Sequence, residues 1–130
     1  MNRAEGIEYY QKALRQGQRD DREKMNAGQS PFLPVLDDIL QNVPVENQIP
    51  LGQVEIPLDL LVGTKTSGRT AAFASNFMPL LGLKTEFCAK WVNLCVSHLD
   101  EGIRDPITCY EYMGRFYVQE GNKRVSVLKY

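Results

Sequence analysis

The residue that most constrains this chain is Gly121. Residues 115–119 before it (Arg-Phe-Tyr-Val-Gln) have strand composition, and Val125, Val127 and Leu128 after it begin a helix. A single glycine must carry the backbone from one periodicity to the other, a turn that a residue without a Cβ makes with little strain. Upstream, Met113-Gly114 separates residues 107–112 from 115–119, so the two runs read as a β-hairpin. A hairpin leading into a helix implies helices around a small mixed sheet, and α/β (α+β) is the predicted class.

The rest of the chain is read by the same periodicities. Residues 3–25 are predicted helical, with Ile7, Tyr10 and Leu14 on one apolar stripe that disappears from Arg15 to Lys24. That second half is expected to be solvated or to lie on a partner. Ser30-Pro31 opens a second short helix, with Leu33, Leu36, Ile39 and Leu40 as its buried face. Residues 41–50 are polar and broken by proline, so they read as a linker that makes the N-terminal helical pair separable. Val54-Glu55-Ile56 before Pro57 reads as a strand. A loop over residues 63–70 and a short helical stretch with Phe73 and Phe77 follow. Thr85 starts the clearest helix, along Phe87, Trp91, Leu94, Cys95 and Leu99, which the Asp100-Glu101-Gly102 turn ends. The helix after Gly121 runs into the chain end, so the expectation is a fragment of a longer protein. The division is residues 1–48, helical segment and linker, and residues 49–130, a compact domain truncated at its C-terminus.

Charge and cysteine content exclude several classes. With 15 Lys+Arg against 16 Asp+Glu the net charge is −1, so no basic field holds a phosphate backbone, and DNA affinity is expected to be weak. Cys88, Cys95 and Cys109 form no CxxC pair and read as reduced thiols. His98 is the only histidine, which argues against a zinc site. No apolar run reaches the ~20 residues of a membrane span. The N-terminus lacks the apolar core of a signal peptide, so the expected address is the cytoplasm.

Two segments carry the candidate chemistry. In Glu120-Gly121-Asn122-Lys123-Arg124 the glycine permits close backbone approach, and the helix start offers free N–H groups and a partial positive charge. Lys123 and Arg124 add formal charge suited to a phosphate. Gly63-Thr64-Lys65-Thr66-Ser67-Gly68-Arg69-Thr70 follows strand-like residues 60–62 and matches a P-loop, except that Arg69 stands where lysine is required. The favoured reading is a loop directing Lys65, Gly68 and Arg69 towards the same phosphate. Each segment also has a plain structural reading, as a tight turn and a surface loop.

Ile103-Arg104-Asp105-Pro106-Ile107 and residues 117–128, with Gly121-Asn122-Lys123-Arg124 opening a helix, resemble the ParB/sulfiredoxin-like domain family. Ile56-Pro57 and the stretch from Gly63 to Arg69 fill that family's earlier strand and arginine loop, so the resemblance spans roughly residues 51–130. It implies a compact domain whose Gly-x-x-Arg box binds nucleotide phosphates or a phosphorylated substrate, with Arg124 gripping the phosphate. Asn122 stands where sulfiredoxins need cysteine, so sulfinic acid reductase activity is not expected. Asn122 and Lys123 also depart from the box of chromosome-partitioning ParB proteins. The expected function is a nucleotide-binding regulatory module, with magnesium accompanying the nucleotide, a homodimer as one expected assembly and DNA as a weaker partner. The alternatives are a phosphotransferase or nucleotide hydrolase using Glu55 or Glu120 as base, and a DNA-binding scaffold without ligand.

Overall fold

The computed structural model describes residues 1–44 and 47–130. Its elements are α1 (Arg3–Asn26), α2 (Leu36–Ile39), β1 (Leu61–Thr64), α3 (Glu86–Asp100), β2 (Thr108–Tyr112), β3 (Arg115–Glu120) and α4 (Asn122–Lys129). Short 3-10 turns occupy Leu58–Leu60 and Ser67–Ala72. The fold is α+β, with four helices around a three-stranded mixed sheet of order β1-β3-β2.

The hairpin forms where its turn signal stood. Met113 and Gly114 both take positive φ, 54° and 78°, and Tyr110 faces Tyr117 across the antiparallel ladder. The central strand β3 then pairs with β1 in parallel, Gly63 opposite Tyr117 and Thr64 opposite Val118. A parallel pair needs a long crossover, and α3 lies within it. Thr85 caps α3 by accepting from the Cys88 amide at 3.1 Å. His98 Nδ1 accepts from the Ile103 amide at 3.2 Å just beyond the helix, so the one histidine has a capping role.

The expected boundary after residue 48 does not divide the core. Tyr10 of α1 is fully buried edge-on against Trp91 of α3, their ring centroids 5.3 Å apart. Its hydroxyl donates to the Leu81 carbonyl at 2.5 Å. Tyr10, Ala13 and Leu33 share one cluster with Phe73, Phe87, Trp91, Val118 and Val125. The buried face of α1 is Gly6, Tyr10, Ala13 and Gly17, while Ile7 and Leu14 flank it. Close approach explains the glycines, Gly6 facing Val92 and Val96 of α3 and Gly17 facing the Pro79 backbone, a criterion that a search for large apolar side chains passes over. The polar second half of α1 lies on this chain's own 72–80 loop. Ser75 Oγ donates to Asp20 at 2.5 Å, and Lys24 donates to both.

Three other expectations are corrected. The helix at Ser30-Pro31 begins only at Leu36, because Val35 extends to bridge Thr64 and the Pro34 carbonyl accepts from the Thr64 amide at 2.9 Å. The strand is Leu61–Thr64 and not residues 54–56, which lie exposed apart from Ile56. Sheet pairing decided this, since β3 has a free edge for only one parallel partner. Phe73 and Phe77 belong to no helix. Phe73 bridges Pro79, and Phe77 turns the chain back at φ 68°. At the end of α3, Leu99 is half exposed.

Candidate functional site

The Gly121 turn places the start of α4 beside the end of β3. Gly121 takes φ 108°, and a Cβ there would lie 2.6 Å from Ile107 Cγ2, so both conformation and packing require glycine. No side chain caps α4, and its first backbone bond runs from the Val125 amide to the Gly121 carbonyl at 3.0 Å. Among the described residues the amides of Asn122, Lys123 and Arg124 donate to no acceptor. They form the positive end of the helix.

The two segments singled out in the sequence meet. A cleft of about 590 Å³ is lined by Thr66, Gly68 and Arg69 of the loop after β1 and by residues 119–124. Its third wall was not foreseen. Lys90, Asn93, Leu94 and Ser97 come from the flank of α3 beside its buried Trp91 face. Their spacing of three and four was readable as one helical stripe, but nothing local linked that stripe to Gly121.

Three cations gather here. Lys123 Nζ sits 5.5 Å above the Phe87 ring. Burial first, and then the Arg69 and Lys90 charges, hold its ammonium below the ordinary lysine range, while Glu86 opposes that shift. Lys90 pairs with Glu86 at 3.1 Å in an exposed bridge, which is worth little. Arg69 and Lys123 have no ion pair among the described residues. Mutually repelling cations beside uncapped amides form a place where an anion relieves the repulsion.

The other expected site residues take different roles. Arg124 is not free to grip a phosphate. Its Nη1 donates to the Asp105 and Pro106 carbonyls, each at 3.2 Å, and its Nη2 lies 2.6 and 2.5 Å from the two Glu120 oxygens. It staples the 105–106 loop to the end of β3, and Glu120, tied to it, is poorly placed to act as a general base. Lys65 turns away from the cleft to pair with Asp37, with its ammonium 5.3 Å from the Tyr110 ring. Glu55 is exposed and outside the cleft. The P-loop, already disfavoured by Arg69, does not form. Gly63 is a strand residue pressed against the Pro34 carbonyl, and a 3-10 turn follows where a P-loop has an α-helix. Asn122 is buried, its amide nitrogen 3.5 Å from Thr64 Oγ1.

The three cysteines are free thiols, all raised by burial above their ordinary range and so poor nucleophiles. Among the described residues no three His, Cys, Asp or Glu side chains converge as a metal site, and no helix is long and apolar enough to cross a membrane. No protein-family description, curated protein or solved structure matches the chain.

Proposed function

We propose that this chain is a phosphate-ligand-binding regulatory module of ParB-like type, taking a nucleotide or another phosphorylated small molecule in the cleft. The observation that carries this reading is the convergence of Arg69, Lys90 and Lys123 beside the uncapped start of α4. The order of arginine loop, hairpin and glycine-led helix supports the ParB-like part, while the strand expected at Ile56-Pro57 stands instead at β1. The cations that hold the phosphate are Arg69 and Lys123, with Arg124 supporting the turn beneath them. Magnesium enters with a nucleotide. A turnover role is less favoured, because Glu120 is paired and Glu55 lies elsewhere.

Calorimetric titration with CTP, ATP, ADP and GTP, each with magnesium, tests the reading. Micromolar binding is expected for at least one. Arg69→Ala and Lys123→Ala should each weaken it about tenfold to a hundredfold, the worth of a hydrogen bond to a charged group. Arg124→Ala should instead lower the melting temperature, since it frees two carbonyls and unpairs Glu120. Absence of heat from every nucleotide, with the protein folded, would refute a nucleotide as the ligand.

A pH series follows from the Lys123 environment. An anion binds the protonated ammonium better, so affinity is full below the lowered pKa of Lys123 and falls as pH rises through it. The decline should begin at a lower pH than ordinary lysine titration, and that early onset should be lost in Lys123→Arg, because arginine keeps its charge.

A further inference from the structure

Two cavities meet on the same four residues. Gly68, Arg69, Lys90 and Lys123 line the large cleft and also a second cavity of about 300 Å³. Away from this shared ridge their chemistry differs. The smaller is walled by Ala71, Ala72, Leu81 and Phe87, with Glu86 at one side. The larger presents the hydroxyls and amides of Thr66, Asn93, Ser97 and Gln119 beside Phe73, Leu94 and the Arg124-paired Glu120. An anion on the ridge therefore borders two chambers, a smaller one walled mainly by apolar side chains and a larger one of mixed lining that carries most of the hydroxyls and amides. A phosphate monoester has one substituent and can fill only one of them, whereas a diester has two.

Resting on the phosphate reading above, we propose that the ligand of this cleft is a small phosphodiester. Its anion lies on Arg69, Lys90 and Lys123, a hydroxyl-bearing arm enters the larger cavity, and an apolar or aromatic arm enters the smaller. A nucleic-acid strand carries the same linkage but is the less favoured occupant. Three cations in one place neutralise few phosphates, and a net charge of −1 provides no basic track for the rest.

The test is calorimetry on the full chain with the p-nitrophenyl ester of thymidine monophosphate as the diester. Its two halves, p-nitrophenyl phosphate and thymidine monophosphate, serve as the monoesters. The diester should bind at least about tenfold tighter than either half, because the second arm adds contacts after association entropy is already lost. Ser97 and Ala71 are exposed on the larger and smaller cavity respectively, so tryptophan at either position is compatible with folding. Ser97→Trp should weaken thymidine monophosphate and leave p-nitrophenyl phosphate unchanged, and Ala71→Trp should do the reverse. A diester no tighter than its better half would overturn the inference while leaving the phosphate site standing. So would variants that weaken both halves equally, or an oligothymidylate of about ten nucleotides that binds more tightly than the diester. If neither half, nor the diester, nor any nucleotide binds the folded protein, the phosphate reading itself has failed.

Discussion

Trp91→Ala should leave this chain barely folded. Trp91 is fully buried, edge-on to Tyr10 and to Tyr130 at 5.3 and 5.9 Å, and its Nε1 donates to Ser126 Oγ at 2.9 Å. One side chain therefore joins α1, α3 and α4. Truncation to alanine costs about 3–5 kcal/mol through lost burial and the cavity left behind. The fully buried Ser126 hydroxyl loses its donor and adds about 1 kcal/mol. Against a total stability of about 5–15 kcal/mol, that is enough to populate the unfolded state. Because Trp91 is the sole tryptophan, urea unfolding of the variant has to be followed by far-UV circular dichroism. A midpoint unchanged from the parent would show that the three helices do not depend on this contact. Trp91→Phe keeps most of the ring and loses the indole N–H, so its deficit should be smaller.

Gly17→Ala should destabilise the protein even though it improves the helix. In an exposed helix interior the change gains about 1 kcal/mol from propensity. Here the new Cβ would sit 2.3 Å from the Pro79 carbonyl oxygen and 3.2 Å from the Met78 carbonyl carbon. The obstacle is backbone in a turn held by hydrogen bonds between Ala74 and Met78 and between Leu80 and Ala72, so it cannot rotate aside. Either α1 shifts away from the 72–80 loop or that loop opens, and overpacking of this kind costs about 1–3 kcal/mol or more. The clash therefore exceeds the propensity gain. Gly28→Ala measures something different, because Gly28 has open space around it but a φ of 69°. A Gly17→Ala variant more stable than the parent in urea would mean that α1 does not press on the 72–80 loop.

Much of the architecture was legible locally. Helix α1 starts and stops within a residue of its reading, with Asn2 accepting from the Glu5 amide at its start. Helix α3, its Thr85 cap, the hairpin turn and the α4 start were marked by residues within a few positions of each boundary. Failures occurred where the deciding partner was distant in sequence. Residues 54–56 and 60–62 are both apolar enough for a strand, and the edge of β3 chose the second. Leu33 and Leu36 were correctly read as buried, whereas Ile39 is exposed, and the helix begins only at Leu36 because residue 35 is extended beside β1.

The candidate site divides in the same way. Gly121, Lys123 and Arg69 could be named from spacing, since a glycine before a helix and a basic loop after a strand are local patterns. Lys65 and Arg69 looked equivalent in the sequence, yet only Arg69 faces the cleft. Arg124 looked like the strongest phosphate ligand, and its donors go to Asp105, Pro106 and Glu120 instead.

By itself the sequence determined α1, α3, the β-hairpin and the start of α4 at Gly121. Those choices rest on backbone conformation, capping and hydrophobic period, all of which act over a few residues. Only the tertiary structure decided that α1 belongs to the core, that α3 supplies a wall of the cleft, and which cations remain unpaired. Those outcomes depend on which surfaces meet when apolar area is buried, and on competition for each charge among groups far apart along the chain.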